Sequence, residues 1–408
     1  MYVRLPVRAM SLAVGAGLFG FVALPAIGAD WEFDPKIEGG AEFNSNYRLF
    51  PPGFEDRVYG AFTNAAFEFR YLSQTDDFNI TPAVYASYLP DSTEDNTTDP
   101  SIDLNWKHTG QTYTAGLFAE YIKQSVVQAD LTTAATIGTQ LGNPTPGDSG
   151  YVTFHDRRQL SEVTPTFTED LTQRQHLEVT ADYTKVDYDP VLPGFYVGYS
   201  AATGAIALIE DISQRTSLTL RGRASEYEPE GDFPNTRTYG LEGEWGYHVS
   251  QVSQAYVRIG AARSSFEQLP GAVPLADTTG IVAGAGMNWT YQVTQVFLDA
   301  TRTVEPNGTG YTVDRDQFRL SLTRLLSPTL SGIAAARYIR DSPSEPTVLF
   351  ADRNYALASL GFKWRFRRAW TLSGEYDYTN QRYASVPPVT ETSNAVLISV
   401  IYEPNRRN

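Results

Sequence analysis

Between residues 358 and 378 the chain reads A-S-L-G-F-K-W-R-F-R-R-A-W-T-L-S-G-E-Y-D-Y, with apolar residues on every second position. Ala358, Leu360, Phe362, Trp364 and Phe366 alternate with Ser359, Gly361, Lys363 and Arg365. After Arg367 and Arg368, the residues Trp370, Leu372, Gly374, Tyr376 and Tyr378 alternate with Thr371, Ser373, Glu375 and Asp377. Successive strand side chains point to opposite faces, so this is a β-hairpin that turns at Arg367 and Arg368, with one aromatic face and one charged or small-residue face. The same pattern recurs along most of the chain. Periodicity alone fits both a soluble sandwich and a membrane barrel.

Before this pattern begins, residues 1–29 carry Arg4 and Arg8, an apolar run from about Met10 to Leu24, and Pro25-Ala26-Ile27-Gly28-Ala29 ahead of Asp30. This is the layout of a secretory signal peptide cleaved after Ala29 or Gly28, an uncleaved anchor being the alternative; residues 30–408 form the folded part. Beyond it no window approaches the roughly 20 apolar residues of a spanning helix. Barrel strands, being half polar, leave the same weak hydropathy. An exported chain without cysteine has no disulfide to brace it, and closed backbone hydrogen bonding is the remaining source of stability. The net charge of -15 argues against a nucleic-acid partner.

About 18 alternating segments follow one another from 34–45 to 393–402, with 16 as the alternative count. Each is long enough for the roughly 9 to 11 residues of a tilted spanning strand. Their connections alternate between short polar links, such as Gly110-Gln111 and Ser327-Pro328, and longer ones, the longest from Val126 to Arg158. Short turns on one side and long loops on the other predict an all-β fold: a transmembrane antiparallel up-and-down β-barrel in an outer membrane. Its N-terminus and short turns would be periplasmic, its long loops outside.

Aromatic residues sort to the ends of the oily face. Trp106, Trp245, Trp289, Trp364, Trp370 and Tyr402 fall toward the short turns, and Tyr376 and Tyr378 toward the long ones. Two interfacial girdles around a lipid-facing band explain that sorting, whereas strand propensity explains only the abundance of rings. Outer-membrane lipid and lipopolysaccharide are the partners this implies. The last segment, with Val396, Ile398, Val400 and Tyr402 on one face, resembles the C-terminal strand that such barrels present to the barrel assembly machinery. It departs from that pattern in continuing to Asn408.

The opposite parity should line a lumen. It collects Glu68, Arg70, Glu162, Asp170, Glu178, Asp182, Arg221, Arg223, Glu242, Glu244, Arg258, Arg315, Arg319, Lys363, Arg365, Glu375 and Asp377. Turned toward lipid, such charges would each cost about 2 to 4 kcal/mol at the midplane. Two readings of them stay open. Opposite charges on neighbouring strands, such as Arg221 and Arg223 beside Glu242 and Glu244, or Lys363 and Arg365 beside Glu375 and Asp377, satisfy one another structurally. Alternatively, an acidic side near the sixth and seventh strands and a basic side later in the chain orient solutes in a water-filled passage. The 126–158 loop fits either a plug folded into the lumen or an external loop.

No catalytic, cofactor or metal motif accompanies this pattern. The four histidines, His108, His155, His176 and His248, lack metal-ligand spacing, and no G-x-S-x-G occurs. His176 near Glu178 and Thr180 fits a Ser-His site or, more ordinarily, a polar lumen residue. The chain does not read as an enzyme.

The repeated turn-then-alternation units Arg367 to Arg382, Ile212 to Tyr227 and Val249 to Ala261 resemble β-barrel porins found with exopolysaccharide gene clusters in Gram-negative bacteria. That resemblance implies a conduit for surface-polysaccharide export, working with periplasmic polysaccharide-export proteins and carrying no catalytic residues. A general or substrate-selective diffusion porin, and a structural or adhesive barrel, are the alternatives.

Overall fold

The structure is a computed structural model and describes residues 30–92, 96–126, 157–189, 196–268, 275–344, 352–384 and 389–405. The expected leader therefore lies outside the described residues. Eighteen strands follow in order. They are β1 (Asp30–Asn44), β2 (Val58–Leu72), β3 (Asp76–Tyr88), β4 (Thr98–Thr109), β5 (Tyr113–Ser125) and β6 (Arg157–Asp170). Next come β7 (Gln175–Asp189), β8 (Tyr199–Ser213), β9 (Thr216–Pro229), β10 (Thr236–Ser250), β11 (Ser253–Phe266) and β12 (Thr278–Tyr291). The circuit ends with β13 (Thr294–Pro306), β14 (Thr312–Ser327), β15 (Leu330–Pro343), β16 (Arg353–Arg367), β17 (Trp370–Tyr383) and β18 (Val389–Tyr402).

Each strand pairs antiparallel with the next, and β18 pairs back onto β1 from Ile37↔Tyr402 to Asn44↔Ala395. The sheet is a closed up-and-down barrel of 18 strands, as the alternation predicts. Following the paired residues once around returns to β1 displaced by about 22 positions. With strands about 4.8 Å apart and a rise of about 3.3 Å per residue, that shear tilts them by about 40° and sets opposite backbones about 36 Å apart. Side chains alone do not fill a ring of that width.

At one end the connections are short: 73–75, 110–112, 171–174, 214–215, 251–252, 292–293, 328–329 and 368–369. A hydroxyl recurs at the entrance of these turns and accepts the backbone N–H groups that the ladder leaves unpaired. Ser73 Oγ accepts from Thr75 and Asp76 (3.2 and 2.8 Å), Thr172 Oγ1 from Arg174 and Gln175 (3.2 and 3.0 Å), and Ser327 Oγ from Thr329 and Leu330 (3.3 and 3.1 Å). Ser213 and Ser250 cap their turns in the same way. In the sequence, Ser73-Gln74, Ser213-Gln214 and Ser250-Gln251 place that hydroxyl at three of these turns.

The hairpin at 358–378 turns one residue later than its sequence predicts. Strand β16 runs through Arg367, and Arg368 and Ala369 make the turn, because a bulge between Arg365 and Arg367 absorbs the extra residue. Bulges stand at the same place before the turns at 214–215, 251–252 and 328–329. Beyond the turn the register pairs Trp364↔Leu372, Leu360↔Tyr376 and Ala358↔Tyr378, so the oily face is continuous across both strands.

One glycine permits a close strand approach. A Cβ on Gly260 would sit 2.3 Å from the Leu241 carbonyl oxygen and 2.9 Å from Glu242 Cα, both backbone. Gly260→Ala is expected to destabilise the barrel by about 1–3 kcal/mol. Gly243→Ala, where a Cβ meets nothing within 4 Å, should stay within about 0.5 kcal/mol. Heat-induced unfolding followed by gel mobility separates the two, and equal midpoints would contradict this account.

Candidate functional site

The pairing registers carry one parity unbroken around the barrel. Phe43, Tyr59, Tyr88, Trp106, Tyr183, Tyr239, Ile281, Phe318, Tyr338, Leu360, Tyr376 and Ile398 share the outer face. All the charged residues that the sequence assigns to the lumen, from Glu68 to Asp377, lie on the other face. A loop identifies that second face as the concave one. Tyr47 and Leu49 of the β1–β2 connection, with Val58 and Leu89, form one buried cluster with Ala335, Ile339, Tyr355 and Leu357 of β15 and β16. The strands β17 and β18 intervene, so the 45–57 loop folds inward across them.

Asn46 fastens this loop. Its Oδ1 accepts from the backbone N–H of Phe50 and Asp56 (2.9 and 3.3 Å), and its Nδ2 donates to the carbonyls of Phe50 and Thr392 (2.8 and 3.1 Å). Leu49, 0% exposed, adopts a left-handed φ of 50° that its packing enforces. At the loop's solvent edge, the backbone N–H groups of Gly53 and Glu55 hold the Glu55 carboxyl below the usual carboxylate range. A second connection, 307–311, also reaches inward. Tyr227 Oη donates to the Asn307 carbonyl (2.7 Å), and the Val197 N–H donates to the Gly308 carbonyl (2.8 Å). The 126–158 loop, which fits either a plug or an external loop, has residues 127–156 outside the described residues, and the constriction seen among the described residues comes from 45–57 and 307–311.

Charge is segregated around the inner face. Asp103, Glu120 and Glu162 stand directly opposite one another on β4, β5 and β6, and Asp182 follows on β7, joined to Glu162 through Thr164 Oγ1 (2.8 and 3.3 Å). About half a circumference away, β14–β16 carry Arg315, Arg319, Arg337 and Arg353, all nearly inaccessible to solvent. Arg315 binds Asp341 through two hydrogen bonds (2.7 and 2.9 Å). Arg319 donates to Asp299 Oδ2 (2.8 Å), whose Oδ1 accepts from Tyr256 Oη (2.7 Å). Arg353 donates to Gln381 (2.9 Å) beneath the inward loop, and Gln381 donates to Glu391 (3.0 Å).

The salt-bridge ladders expected between neighbours are rearranged. Arg221 lies level with Glu242, yet its ion pair reaches across β8 to Glu178 (3.5 Å). Arg258 lies level with Glu244 and pairs with Glu242 (3.3 Å). Arg223 lies level with Gly240. Lys363 and Arg365 do not face Glu375 and Asp377, because the antiparallel register puts them opposite Ser373 and Thr371. Arg365 instead donates to the Pro328 carbonyl (3.1 Å), and Asp377 accepts from Ser359 Oγ. Arg70 pairs with Asp77 across the β2–β3 hairpin (2.6 Å).

Glu120, Arg337 and Arg353 escaped the sequence reading although alternation marks them. Arg337 lies between the outward Ala336 and Tyr338, and Glu120 between Ala119 and Tyr121. With these three added, the acidic side expected near the sixth and seventh strands extends to β5, and the basic side is placed on β14–β16.

On the outer face, rings pair along the short-turn rim. Trp245 stacks with Tyr247 (5.8 Å), Trp289 with Tyr291 (5.7 Å), and Trp370 packs on Tyr402 (4.8 Å) across the β17–β18 pair. Trp364 adjoins Phe366, and Trp106 Nε1 donates to Asp76 (3.3 Å). Trp31, which the sequence reading placed outside the first strand, packs on Tyr71 at the same rim (5.0 Å). Tyr376 and Tyr378 sit toward the other end.

On the inner face, His176 contacts Asp170 Oδ1 (2.6 Å) and Asp211 Oδ2 (3.3 Å), so its polar neighbours are carboxylates. Among the described residues no group of three or more His, Asp or Glu is arranged to hold a metal ion.

No protein-family model and no curated protein matches the chain. Similar solved structures include OpdO of Pseudomonas aeruginosa, at 10% identity and a TM-score of 0.47 over 92% of this chain and 98% of that one. OccK2 (OpdF) of the same organism, in complex with glucuronate, is 9% identical with a TM-score of 0.46 over 92% and 98%. The outer membrane channel DcaP of Acinetobacter baumannii is 14% identical with a TM-score of 0.45 over 92% and 97%. At those identities and scores none of them assigns a residue role here.

Proposed function

We propose that the protein is an outer-membrane channel through which hydrophilic solutes cross in a transverse electric field. One observation carries this reading: a closed ring about 36 Å wide sets an acidic wall opposite an arginine wall, with the inward 45–57 loop narrowing the space between them. Charges held by a rigid wall orient a polar solute while leaving binding weak and multi-site, which permits release. The Trp-rich rim and the Tyr-bearing rim then lie at the two interfaces of an outer membrane, and the long connections face outward.

Planar-bilayer recording of the refolded barrel tests the proposal, since absence of discrete conductance steps would overturn it. The orientation has its own check on β17. A polarity-sensitive probe at Leu372 should report hydrocarbon and one at Ser373 water, and the reverse order would invert the two faces.

Export of a surface polysaccharide is the finer reading, supported by the resemblance of the turn-and-alternation units. Current blockade by a long polysaccharide but not by its monomers would favour it. Equal passage of small sugars and ions without blockade would leave a diffusion porin.

A further inference from the structure

The outer wall is indented over β6–β10 by a groove of about 600 Å³. It is a gap in the aromatic rim at the long-connection end. Tyr183 on β7 and Tyr239 on β10 form its walls, and between them β8 and β9 present only Ala202, Gly204 and Ala224. A Cβ built on Gly204 meets nothing within 4 Å, so the floor is open rather than packed. At the lip, Arg237 donates Nε to Glu226 Oε1 (2.8 Å) while its side chain remains 64% exposed. Lys185, 47% exposed and paired with Asp187, lies one step beyond Tyr183 along β7 toward the same end.

We infer that this groove seats an acyl chain of a lipopolysaccharide molecule, whose phosphate is met by Arg237. The inference rests on the outer-membrane reading above, and four features support the choice of occupant. The groove opens from an apolar face, beside exposed Val163, Ile206 and Leu241, where hydrocarbon is the surrounding medium. A concavity there forfeits dispersion contacts unless a chain lies in it, and the small residues Ala202, Gly204 and Ala224 between the two tyrosines leave room for one. A guanidinium has five N–H donors, and Glu226 engages only one edge of Arg237, which leaves the others for a phosphate at headgroup depth. Finally, the groove lies at the long-connection end, which in that reading belongs to the outer leaflet.

Native mass spectrometry of the full-length mature barrel, released from detergent after incubation with rough lipopolysaccharide or with phosphatidylglycerol, tests this. One lipopolysaccharide should be retained under activation that strips phosphatidylglycerol. Gly204→Phe, which fills the groove, should lower that retained fraction at least about tenfold, and Arg237→Gln should lower it as well. Gly243→Phe, another open outer position away from the groove, controls for folding and should retain lipopolysaccharide as the unsubstituted barrel does. Equal retention in Gly204→Phe and the unsubstituted barrel overturns the inference, as does equal retention of both lipids. If Gly204→Phe instead abolishes a dimer or trimer mass, the groove is an interface between copies and the inference also fails. Membrane fractionation of the producing cells separates the two levels of failure. Recovery with the outer membrane but without retained glycolipid overturns the groove alone, whereas recovery elsewhere overturns the outer-membrane reading with it.

Discussion

Replacing residues 48–55 by a short Gly-Ser link is expected to raise single-channel conductance at least about twofold and to weaken ion selectivity. The barrel wall is too wide to constrict itself, so in this account the resistance lies where chain folds into the ring. The 45–57 loop is held there by the Asn46 hydrogen bonds and by the insertion of Tyr47 and Leu49 against Ile339, Tyr355 and Leu357. Retaining Asn46 in the shortened variant keeps the bond to the Thr392 carbonyl of β18, beside the β1–β18 closure. Removing Leu49 uncovers apolar wall, and a loss of some stability should accompany the larger current. Unchanged conductance in a folded, heat-modifiable variant would show that this loop does not set the constriction.

The largest effect on stability is expected from Arg315→Ala. Arg315 and Asp341 make a two-point pair in which Asp341 is 0% exposed. Removing the cation leaves a buried carboxylate without its main partner, at a cost of about 3–5 kcal/mol. Replacing both residues by leucine removes the charges together and should cost far less, since desolvation offsets much of what such a pair contributes. The comparison is made by urea unfolding in detergent or vesicles. If single and double variants unfold alike, the pair is not the coupled unit described here.

The inner face was legible in the sequence because a lipid-facing charge is costly enough to fix parity on every strand. Reading alternate residues from Trp364 or Tyr376 is sufficient to put Lys363 and Glu375 on the same side. The partners within that face were not legible. Lys363 and Glu375 look adjacent in a hairpin diagram, yet the bulge between Arg365 and Arg367 and the antiparallel register place them opposite Ser373 and Gly361. Arg221 likewise reaches over β8 to Glu178, a contact between strands that do not touch along their backbones.

The inward course of 45–57 is not legible in the sequence. Length singles out 126–158, whereas 45–57 is shorter and nothing in its own residues marks it as turning inward. What directs 45–57 inward is a pocket made by Ile339, Tyr355 and Leu357, nearly three hundred residues further along the chain, into which Leu49 fits.

Alternation and the rhythm of connection lengths determined the order of the strands, which side of each is oily and a count of about 18, because these properties are local to one strand or one turn. The closure of β18 on β1, the shear of about 22 residues, the opposition of the acidic and arginine walls and the choice of constricting loop were decided only by the tertiary structure. Each depends on how far one strand slides against the next, a displacement that accumulates around the whole circuit and is fixed only when the ring closes.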